Sequence, residues 1–174
     1  MEHGFVKVAA VTPKIKVADP VYNAQVVCEE LQKVYDKAAK IIVFPELCLT
    51  GYTCNDLFLQ ERLLDEAKAA LLTVTKATEG HDALVFVGLP MERDGRLYNV
   101  AAALQDGEIL GFVPKTNLPT YAEFYEGRHF TKGNTEVESY YWDEEEIPFG
   151  TNLLFTCTNM KGLTVGCEIC EDLW

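Results

Sequence analysis

Three reactive residues of different chemical types stand at the ends of short apolar runs in this sequence. Glu46, Lys115 and Cys170 carry a carboxylate, an amine and a thiol, which together are the parts of a covalent acyl-transfer site. The strands of α/β proteins are rigid and aim the side chains at their ends into a shared crevice. We therefore predict that the three residues form one catalytic site.

The chemistry of the three groups assigns a separate role to each. A thiol with an ordinary pKa of about 8.5 is mostly protonated at neutral pH, so Glu46 would accept the proton of Cys170 and later return it to the leaving amine. The charge of Lys115 would favour the thiolate and stabilise the oxyanion of a tetrahedral intermediate. The backbone N–H of the residue after Cys170 would be a second oxyanion donor.

Each of the three residues also has an ordinary structural explanation when it is considered alone. Glu46 could cap a helix, Lys115 could be an exposed surface charge, and Cys170 could be a small buried hydrophobic residue. The functional hypothesis therefore depends on the set and not on any single member.

The composition is that of one globular domain with an acidic surface. The 174 residues carry a net charge of −12, and the basic residues are dispersed, which argues against binding to nucleic acid or to an anionic membrane. No linker or low-complexity segment divides the chain, so we predict a single domain over residues 1–174. The densest acidic run, Asp143 to Glu146, is interpreted as a solvated loop and not as a metal site.

Targeting signals and cysteine content give an expectation about the compartment. No stretch is long and apolar enough for a transmembrane span, and Met1 to Gly4 lack the features of a signal peptide. We therefore expect a cytoplasmic protein in which all six cysteines are thiols, with no bound metal.

Three short apolar runs in the first half of the chain predict buried strands. They cover residues 5–11, 41–44 and 83–89, and the last is expected to end near Gly88 and Pro90. Glu46 lies just past the second of these strands.

Helical periodicity separates these strands. Asp19-Pro20 supplies an N-cap and a first helical residue for a helix over 21–38, and a second helix is predicted over 61–77. The apolar residues that form the buried face of the first helix are Val27, Leu31, Val34, Tyr35 and Ala38.

The second half of the chain contains two predicted strand pairs. Strands over 98–104 and 109–113 are joined by a turn with an Asp-Gly pair, which is typical of a hairpin, and strands over 153–158 and 163–169 form the other pair. The predicted class is α/β with a mixed sheet.

Three local motifs resemble the signatures of the nitrilase, or carbon-nitrogen hydrolase, superfamily. They are Phe44-Pro45-Glu46-Leu47, Pro114-Lys115 and Gly166-Cys167-Glu168-Ile169-Cys170-Glu171-Asp172. The resemblance implies an αββα sandwich assembled as a homo-oligomer. It also implies that Glu46 is the general base, Lys115 the electrostatic stabiliser and Cys170 the nucleophile.

Longer segments resemble the glutaminase domains of glutamine-dependent NAD synthetases. These are 50–58, 115–126 and 168–174. That resemblance implies that Glu126 orients Lys115 and the leaving group, and that Tyr121 and Glu171 contact a glutamine substrate. It also implies a synthetase domain as partner, with ATP and Mg²⁺ required there and no cofactor required by the amidase domain.

The resemblance further implies that the sandwich is incomplete at its C-terminal end. The chain stops four residues beyond Cys170, whereas a nitrilase-type domain continues well past its nucleophile. We therefore interpret these residues as the N-terminal portion of a longer protein.

Several alternatives are compatible with the sequence. Another superfamily amidase or carbamoylase would share the same three catalytic residues, and a noncatalytic remnant would share the motifs. A redox or zinc-binding protein would instead use Cys167 and Cys170, with Cys48 and Cys54 as further ligands. Among the secondary site residues, Tyr121 could only pack, Glu126 could pair with Arg128 in solvent, and Glu171 could cap a helix.

Overall fold

A computed structural model describes residues 4–142 and 144–174 of the chain. Its centre is a seven-stranded mixed sheet with the strand order β1-β2-β3-β4-β5-β7-β6. The strands are β1 (Val8–Ala10), β2 (Ile41–Val43), β3 (Leu84–Arg93), β4 (Arg96–Gln105), β5 (Glu108–Pro114), β6 (Glu138–Trp142) and β7 (Glu145–Phe149). The predicted α/β class with a mixed sheet is confirmed.

The first half of the sheet is built from two β-α-β units. Strands β1, β2 and β3 are parallel, and they are joined by α1 (Pro20–Tyr35) and α2 (Glu61–Lys76). Asp19 caps α1 as predicted, because its side chain accepts the N–H of Tyr22 at 3.1 Å. The C-terminal ends of these parallel strands all point to one edge of the sheet, where chemistry is commonly found.

The middle of the sheet is an antiparallel meander of β3, β4 and β5. Its predicted turn at Asp106-Gly107 is confirmed, since both residues have positive φ angles, 48° and 80°. The turn at Asp94-Gly95, with φ angles of 52° and 70°, was not predicted. The predicted end of β3 near Gly88 was wrong, because the strand pairs with β4 as far as Arg93.

Both helices pack on one face of the sheet and form the main core. The core contains α1 residues such as Leu31, α2 residues such as Leu71, and alternate strand residues such as Val85, Val87 and Phe112. The spacing of these residues follows the helical and strand periods, so burying one face of each element accounts for the layer. Of the predicted helix face, Ala38 lies outside α1 and is exposed.

The opposite face of the sheet is covered in part by a short strand pair. This pair consists of β8 (Phe155–Thr156) and β9 (Thr164–Val165), which pack against Leu84, Phe86 and Ala103. Both strands are shorter than predicted, because they pair with each other over only two residues. The observed layers are therefore helices, a large sheet, and the beginning of a second β layer.

Two sequence predictions concern residues at or near the undescribed positions. Met1 to His3, part of the segment without signal-peptide features, and Asp143, the first residue of the acidic run, lie outside the described residues. Glu144 lies in a turn, in agreement with the loop prediction, but that prediction was wrong for Glu145 and Glu146. Glu145 and Glu146 are exposed residues of β7, where they precede the buried Ile147 and pair with β6.

In the part of the chain that the structure describes, no helix has both the length and the apolar character needed to cross a bilayer.

Candidate active site

Glu46 lies in a tight turn directly after β2. The turn continues the parallel pairing with β3, since Phe44 N–H donates to the carbonyl of Phe86 at 2.9 Å and Leu49 N–H donates to that of Gly88 at 3.1 Å. Leu47 has a positive φ of 51°, a conformation that costs energy for a residue with a side chain. This strained turn aims the Glu46 carboxylate over the end of the sheet.

Lys115 is anchored immediately after β5 and has no exposed surface. Its backbone N–H donates to the carbonyl of Asn99 at 2.8 Å, and its own carbonyl accepts from Gly133 at 2.8 Å. The Nζ atom donates to Oε1 of Glu46 at 2.6 Å and to Oε1 of Glu126 at 2.7 Å. Lys115 is therefore a buried cation held between two carboxylates and not a surface charge.

The ionisation of this cluster follows from burial and pairing. Burial acts to lower the pKa of Lys115, but the hydrogen bonds to Glu126 and Glu46 outweigh it, so the pKa is raised and the amine remains charged. Burial raises the pKa of Glu46, and the hydrogen bond from Lys115 only partly opposes that rise. A carboxylate with a raised pKa is suited to accept a proton near neutral pH.

Glu126 begins the single-turn helix α3 (Glu126–His129) and is 4% exposed. Its Oε1 also accepts the hydroxyl of Tyr52 at 2.7 Å. The alternative pairing of Glu126 with Arg128 is excluded, because the Arg128 guanidinium makes two hydrogen bonds, of 2.8 and 2.9 Å, to Asp56. Asp56 and Tyr52 belong to one 3-10 segment (Tyr52–Leu59), which therefore holds α3 at both ends.

Cys170 opens a 3-10 turn (Cys170–Leu173) at the end of the chain. It has a positive φ of 52°, so the nucleophile candidate, like Leu47, occupies a strained backbone position. Glu46 and Cys170 line the same cavity of about 170 Å³. Within residues 4–142 and 144–174, Sγ of Cys170 makes no hydrogen bond to the side chain of Glu46 or Lys115, although Cys170 and Glu46 share this cavity.

The surroundings of Cys170 raise the pKa of its thiol. Partial burial raises its pKa, and the negative charge of Glu46 adds to the rise, whereas Lys115 and the backbone N–H of Glu171 lower it. Lys115 thus acts in the predicted direction without dominating. Cys170 is nevertheless exposed, whereas burial raises the pKa of Cys48 to about 12 and that of Cys167 to about 11.

Asp172 ties the Cys170 turn to the segment after Lys115. Its Oδ1 accepts the backbone N–H and the hydroxyl of Thr116 at 3.0 and 2.7 Å, and the backbone N–H of Asn117 at 2.7 Å. Asn117 Nδ2 also donates to the carbonyl of Glu171 at 3.0 Å. These bonds fix the position of Cys170 relative to Lys115.

Tyr121 and Glu171, the predicted substrate contacts, lie next to each other beside Cys170. The hydroxyl of Tyr121 donates to Oε1 of Glu171, and that hydrogen bond raises the pKa of Tyr121. Tyr121 is 59% exposed, so it does not pack in the core. The two side chains therefore form an exposed polar pair, and Glu171 directly follows Cys170 in the chain.

Cys48 and Cys54, the further ligands of the zinc alternative, lie in different clusters from each other and from Cys167. Cys48 lies in the main core and donates to the carbonyl of Gly88, whereas Cys54 lies in a separate cluster with Leu47. Cys167 packs against the opposite face of the sheet. Among the residues with described positions, no group of three or more His, Cys, Asp or Glu side chains could hold a metal ion.

Two polar residues at the site were missed by the sequence analysis. Asn99, in the middle of β4, donates from Nδ2 to Oε1 of Glu46 at 2.6 Å, and Tyr52 contacts Glu126 as noted above. A usable signal existed for Asn99, because asparagine is uncommon inside an apolar strand. Tyr52 had no such signal, since a tyrosine after a glycine turn is ordinary.

Comparison with known proteins agrees with this arrangement. Residues 7–174 match the family described as carbon-nitrogen hydrolase. The chain belongs to the carbon-nitrogen hydrolase family. Glu46, Lys115 and Cys170 all fall within the matched residues, as do Glu126 and Asn99.

Individual relatives provide narrower similarities. The chain is 41% identical over 175 residues to a glutamine-dependent NAD(+) synthetase of Mycobacterium tuberculosis, covering 99% of this chain and 26% of the relative. It is 38% identical over 150 residues to one of Aquifex aeolicus, covering 84% of this chain and 23% of the relative. The chain therefore spans about a quarter of the length of these relatives.

Solved structures give the same fold. A glutamine-dependent NAD(+) synthetase from Cytophaga hutchinsonii has a TM-score of 0.88 and 27% identity, covering 96% of this chain and 28% of that one. An amidase from Nesterenkonia sp. has a TM-score of 0.65 and 18% identity, covering 85% of this chain and 56% of that one, and supports the fold alone. The predicted nitrilase-like αββα architecture of this carbon-nitrogen hydrolase is confirmed.

Proposed function

We propose that this chain is the amidase part of a glutamine-dependent NAD synthetase and that it hydrolyses glutamine through a thioester on Cys170. The observation that carries the proposal is the buried Lys115, held between Glu46 and Glu126 beside the cavity that Cys170 lines. The similarity to glutamine-dependent NAD synthetases over nearly the whole chain supports glutamine as the substrate.

The reaction begins with transfer of the Cys170 proton to Glu46. The thiolate then attacks the side-chain amide carbon of glutamine. Lys115 has three N–H bonds and uses two of them on Glu46 and Glu126, which leaves the third for the oxyanion. The backbone N–H of Glu171, which lowers the pKa of the thiol, is the second donor.

The tetrahedral intermediate collapses when ammonia leaves with the proton held by Glu46. A water molecule, deprotonated by the same carboxylate, then attacks the thioester and releases glutamate, and the proton returns to the thiolate. Glu126 keeps Lys115 in place in both steps.

Specificity for glutamine is assigned to the hydrogen-bonded pair of Tyr121 and Glu171. The substrate carries an α-ammonium group, and a carboxylate that accepts a hydrogen bond from a tyrosine hydroxyl is a suitable partner for that cation. An amidase for simple aliphatic amides does not need this pair.

The amidase residues need no cofactor in this proposal. ATP and Mg²⁺ are required by a separate synthetase domain, which is the proposed partner of this chain, and the ammonia passes to that domain. Assembly as a homo-oligomer, placement in the cytoplasm and a single domain over residues 1–174 remain predictions.

The decisive experiment is Cys170→Ala in the natural polypeptide that contains this chain. Glutamine-dependent NAD formation should be lost, whereas NAD formation from added ammonia should persist, because only the ammonia source has been removed. Replacing an exposed thiol by a methyl group leaves little cavity, so the unfolding free energy should change by less than about 1.5 kcal/mol.

The control is Cys157→Ala, which removes a partly exposed thiol that lines a different cavity from Glu46 and Cys170. This variant should retain both activities. Retention of glutamine-dependent synthesis by Cys170→Ala would contradict the proposal. Hydrolysis of simple amides in preference to glutamine by the unaltered protein would instead favour another type of amidase.

A further inference from the structure

Asn99 is the one strand residue that touches both the base and the lysine of the proposed site, among the residues whose positions are described. It is 1% exposed and lies in β4, opposite Pro90 of β3. Its backbone carbonyl accepts the N–H of Lys115 at 2.8 Å, and its side-chain Nδ2 donates to Oε1 of Glu46 at 2.6 Å. A single residue thus links the positions of two reactive groups that come from different strands.

The hydrogen bonds of Glu46 are distributed unequally between its two oxygens. Oε1 accepts from both Lys115 Nζ and Asn99 Nδ2, each at 2.6 Å. Oε2 has no hydrogen-bond partner in the described part of the chain. Two short donors leave Oε1 poorly available for a further proton, so the proton acceptor of this carboxylate is Oε2.

A purely structural role does not explain Asn99. Its carbonyl atom Oδ1 is buried and has no hydrogen-bond partner among the described residues. An unpaired buried carbonyl destabilises a fold, and an apolar side chain would fill a strand interior without that penalty. The amide is accounted for by its contact with Glu46.

We propose that Asn99 is a positioning residue that holds Oε1 of Glu46 and thereby presents Oε2 to the thiol of Cys170. The inference rests on the proposed function, in which Glu46 is the base. Burial has the largest effect on the pKa of Glu46 and raises it, whereas the hydrogen bond from Asn99 favours the ionised carboxylate and lowers that pKa.

Alkylation of Cys170 by iodoacetamide tests the positioning without any glutamine. In this reaction the sulfur forms a bond to the methylene carbon, iodide leaves, and the thiol proton goes to Oε2 of Glu46. The rate should therefore rise with pH as Glu46 ionises. It is measured by mass-spectrometric mapping of Cys170 in the natural polypeptide that contains this chain, across a series of pH values.

Asn99→Leu and Asn99→Ala both remove the Nδ2 donor to Glu46. The leucine adds volume, whereas the alanine leaves a cavity. Both should move the rising limb of the alkylation profile to higher pH, because the bond that favours ionised Glu46 is lost. On the acid side of the limb, alkylation should be about 10-fold slower than in the unaltered protein. The smaller variant keeps the test valid if the larger one fails to fold.

The matched control is Asn23→Leu. Asn23 is also fully buried, and its side chain makes hydrogen bonds to backbone atoms of Lys16 and Leu49. This variant should lower the melting temperature and leave the alkylation limb in place. The inference is overturned if the rising limb of the alkylation profile stays in place in both Asn99 variants. It is also overturned if the limb moves in all three variants in proportion to the stability that each has lost.

The test separates this inference from the proposed function. A protein that shows the shifted limb in the Asn99 variants but hydrolyses no glutamine supports the positioning role and contradicts the glutaminase assignment. A protein that hydrolyses glutamine through Cys170 but shows the same limb with and without Asn99 contradicts the positioning role alone.

Discussion

At the scale of single residues, the site is governed by one buried positive charge between two negative ones. Lys115 has no exposed surface, and its ion pairs with Glu46 and Glu126 are 2.6 and 2.7 Å long. Removing either carboxylate would change the protonation of the other, because buried charges are weakly screened. The pH dependence of the proposed reaction is therefore the most direct measure of how these charges influence one another.

Glu126→Gln should move the acid limb of glutamine hydrolysis to lower pH. The reaction needs ionised Glu46, so the rate rises as pH increases through the Glu46 pKa. The negative charge of Glu126 contributes to the raised pKa of Glu46, so neutralising it lowers that pKa. The measurement is the pH profile of kcat/KM.

The control for this prediction is Glu123→Gln. Glu123 is exposed and lies three residues before Glu126, so solvent screens its charge from the site. The acid limb of the pH profile of Glu123→Gln should coincide with that of the unaltered protein. A shift to higher pH in Glu126→Gln would contradict the electrostatic account, because it has the opposite sign.

At the scale of elements, two turns place the reactive groups by close backbone contacts. The turn at Glu46 lies against Gly88 of β3, and the turn at Cys170 is tied by Asp172 to the residues after β5. Both turns contain a residue with positive φ, Leu47 and Cys170 respectively. Strain of this kind persists only where neighbouring contacts hold the backbone.

Gly88→Ala should disrupt the turn that carries Glu46. A Cβ atom at this position would lie 2.3 Å from the backbone N of Leu47 and 2.7 Å from the carbonyl oxygen of Pro45, so backbone would have to move. We expect a loss of at least about 2 kcal/mol in the unfolding free energy, measured by urea denaturation, together with loss of amidase activity.

Gly166→Ala provides the comparison for the glycine prediction. Its added Cβ would meet only the side chain of Leu154, at 3.5 Å, which is an ordinary contact. Stability should change by less than about 1 kcal/mol. Equal effects of the two substitutions would show that close approach to the Glu46 turn is not the reason for Gly88.

Asp172→Ala should loosen the turn that carries Cys170. The three donors of Thr116 and Asn117 would lose their common acceptor, so kcat should fall by about 10- to 100-fold and stability by about 1 to 3 kcal/mol. Asp172→Asn retains an oxygen at the same place and should keep most of the activity. An equally inactive Asn variant would indicate that charge, and not geometry, is what Asp172 supplies.

At the scale of the whole molecule, one face of the large sheet is much less covered than the other. A cavity of about 450 Å³ lies between the sheet and β8–β9, with Ile41, Leu84 and Phe155 among its lining residues. Nearby apolar side chains are also accessible, since Val43 is 44% exposed and Leu154 is 70% exposed. An exposed apolar surface of this kind is typical of a region that contacts another protein segment or domain.

We expect these 174 residues alone to bind the dye 8-anilinonaphthalene-1-sulfonate, and the longer polypeptide of the proposed function to bind it much less. Dye fluorescence reports accessible apolar surface, and the additional segment of the longer protein would cover this face. Leu154→Lys in the 174-residue chain should reduce the fluorescence. Equal dye binding by the two proteins would contradict the interpretation of the face.

Local patterns were sufficient to predict most elements and to select three candidate reactive residues. The helices, the parallel strands and the turn at Asp106-Gly107 follow from periodicity and turn chemistry, which act within a few residues. Glu46, Lys115 and Cys170 could be chosen because each lies at the end of an apolar run, a position that the sequence itself displays. The motifs around them also carried the family resemblance, and the family match confirms it.

Only the tertiary structure decided how these residues are supported. The hydrogen bonds from Asn99 to Glu46 and from Tyr52 to Glu126 join residues that are 53 and 74 positions apart in the sequence. Leu47 and Cys170 have positive φ angles although neither is a glycine, so residue type did not predict that backbone conformation. The extension of β3 past Gly88 likewise depends on pairing with β4. Hydrogen bonding and strain across the chain depend on the distances between folded elements, and sequence periodicity contains no information about those distances.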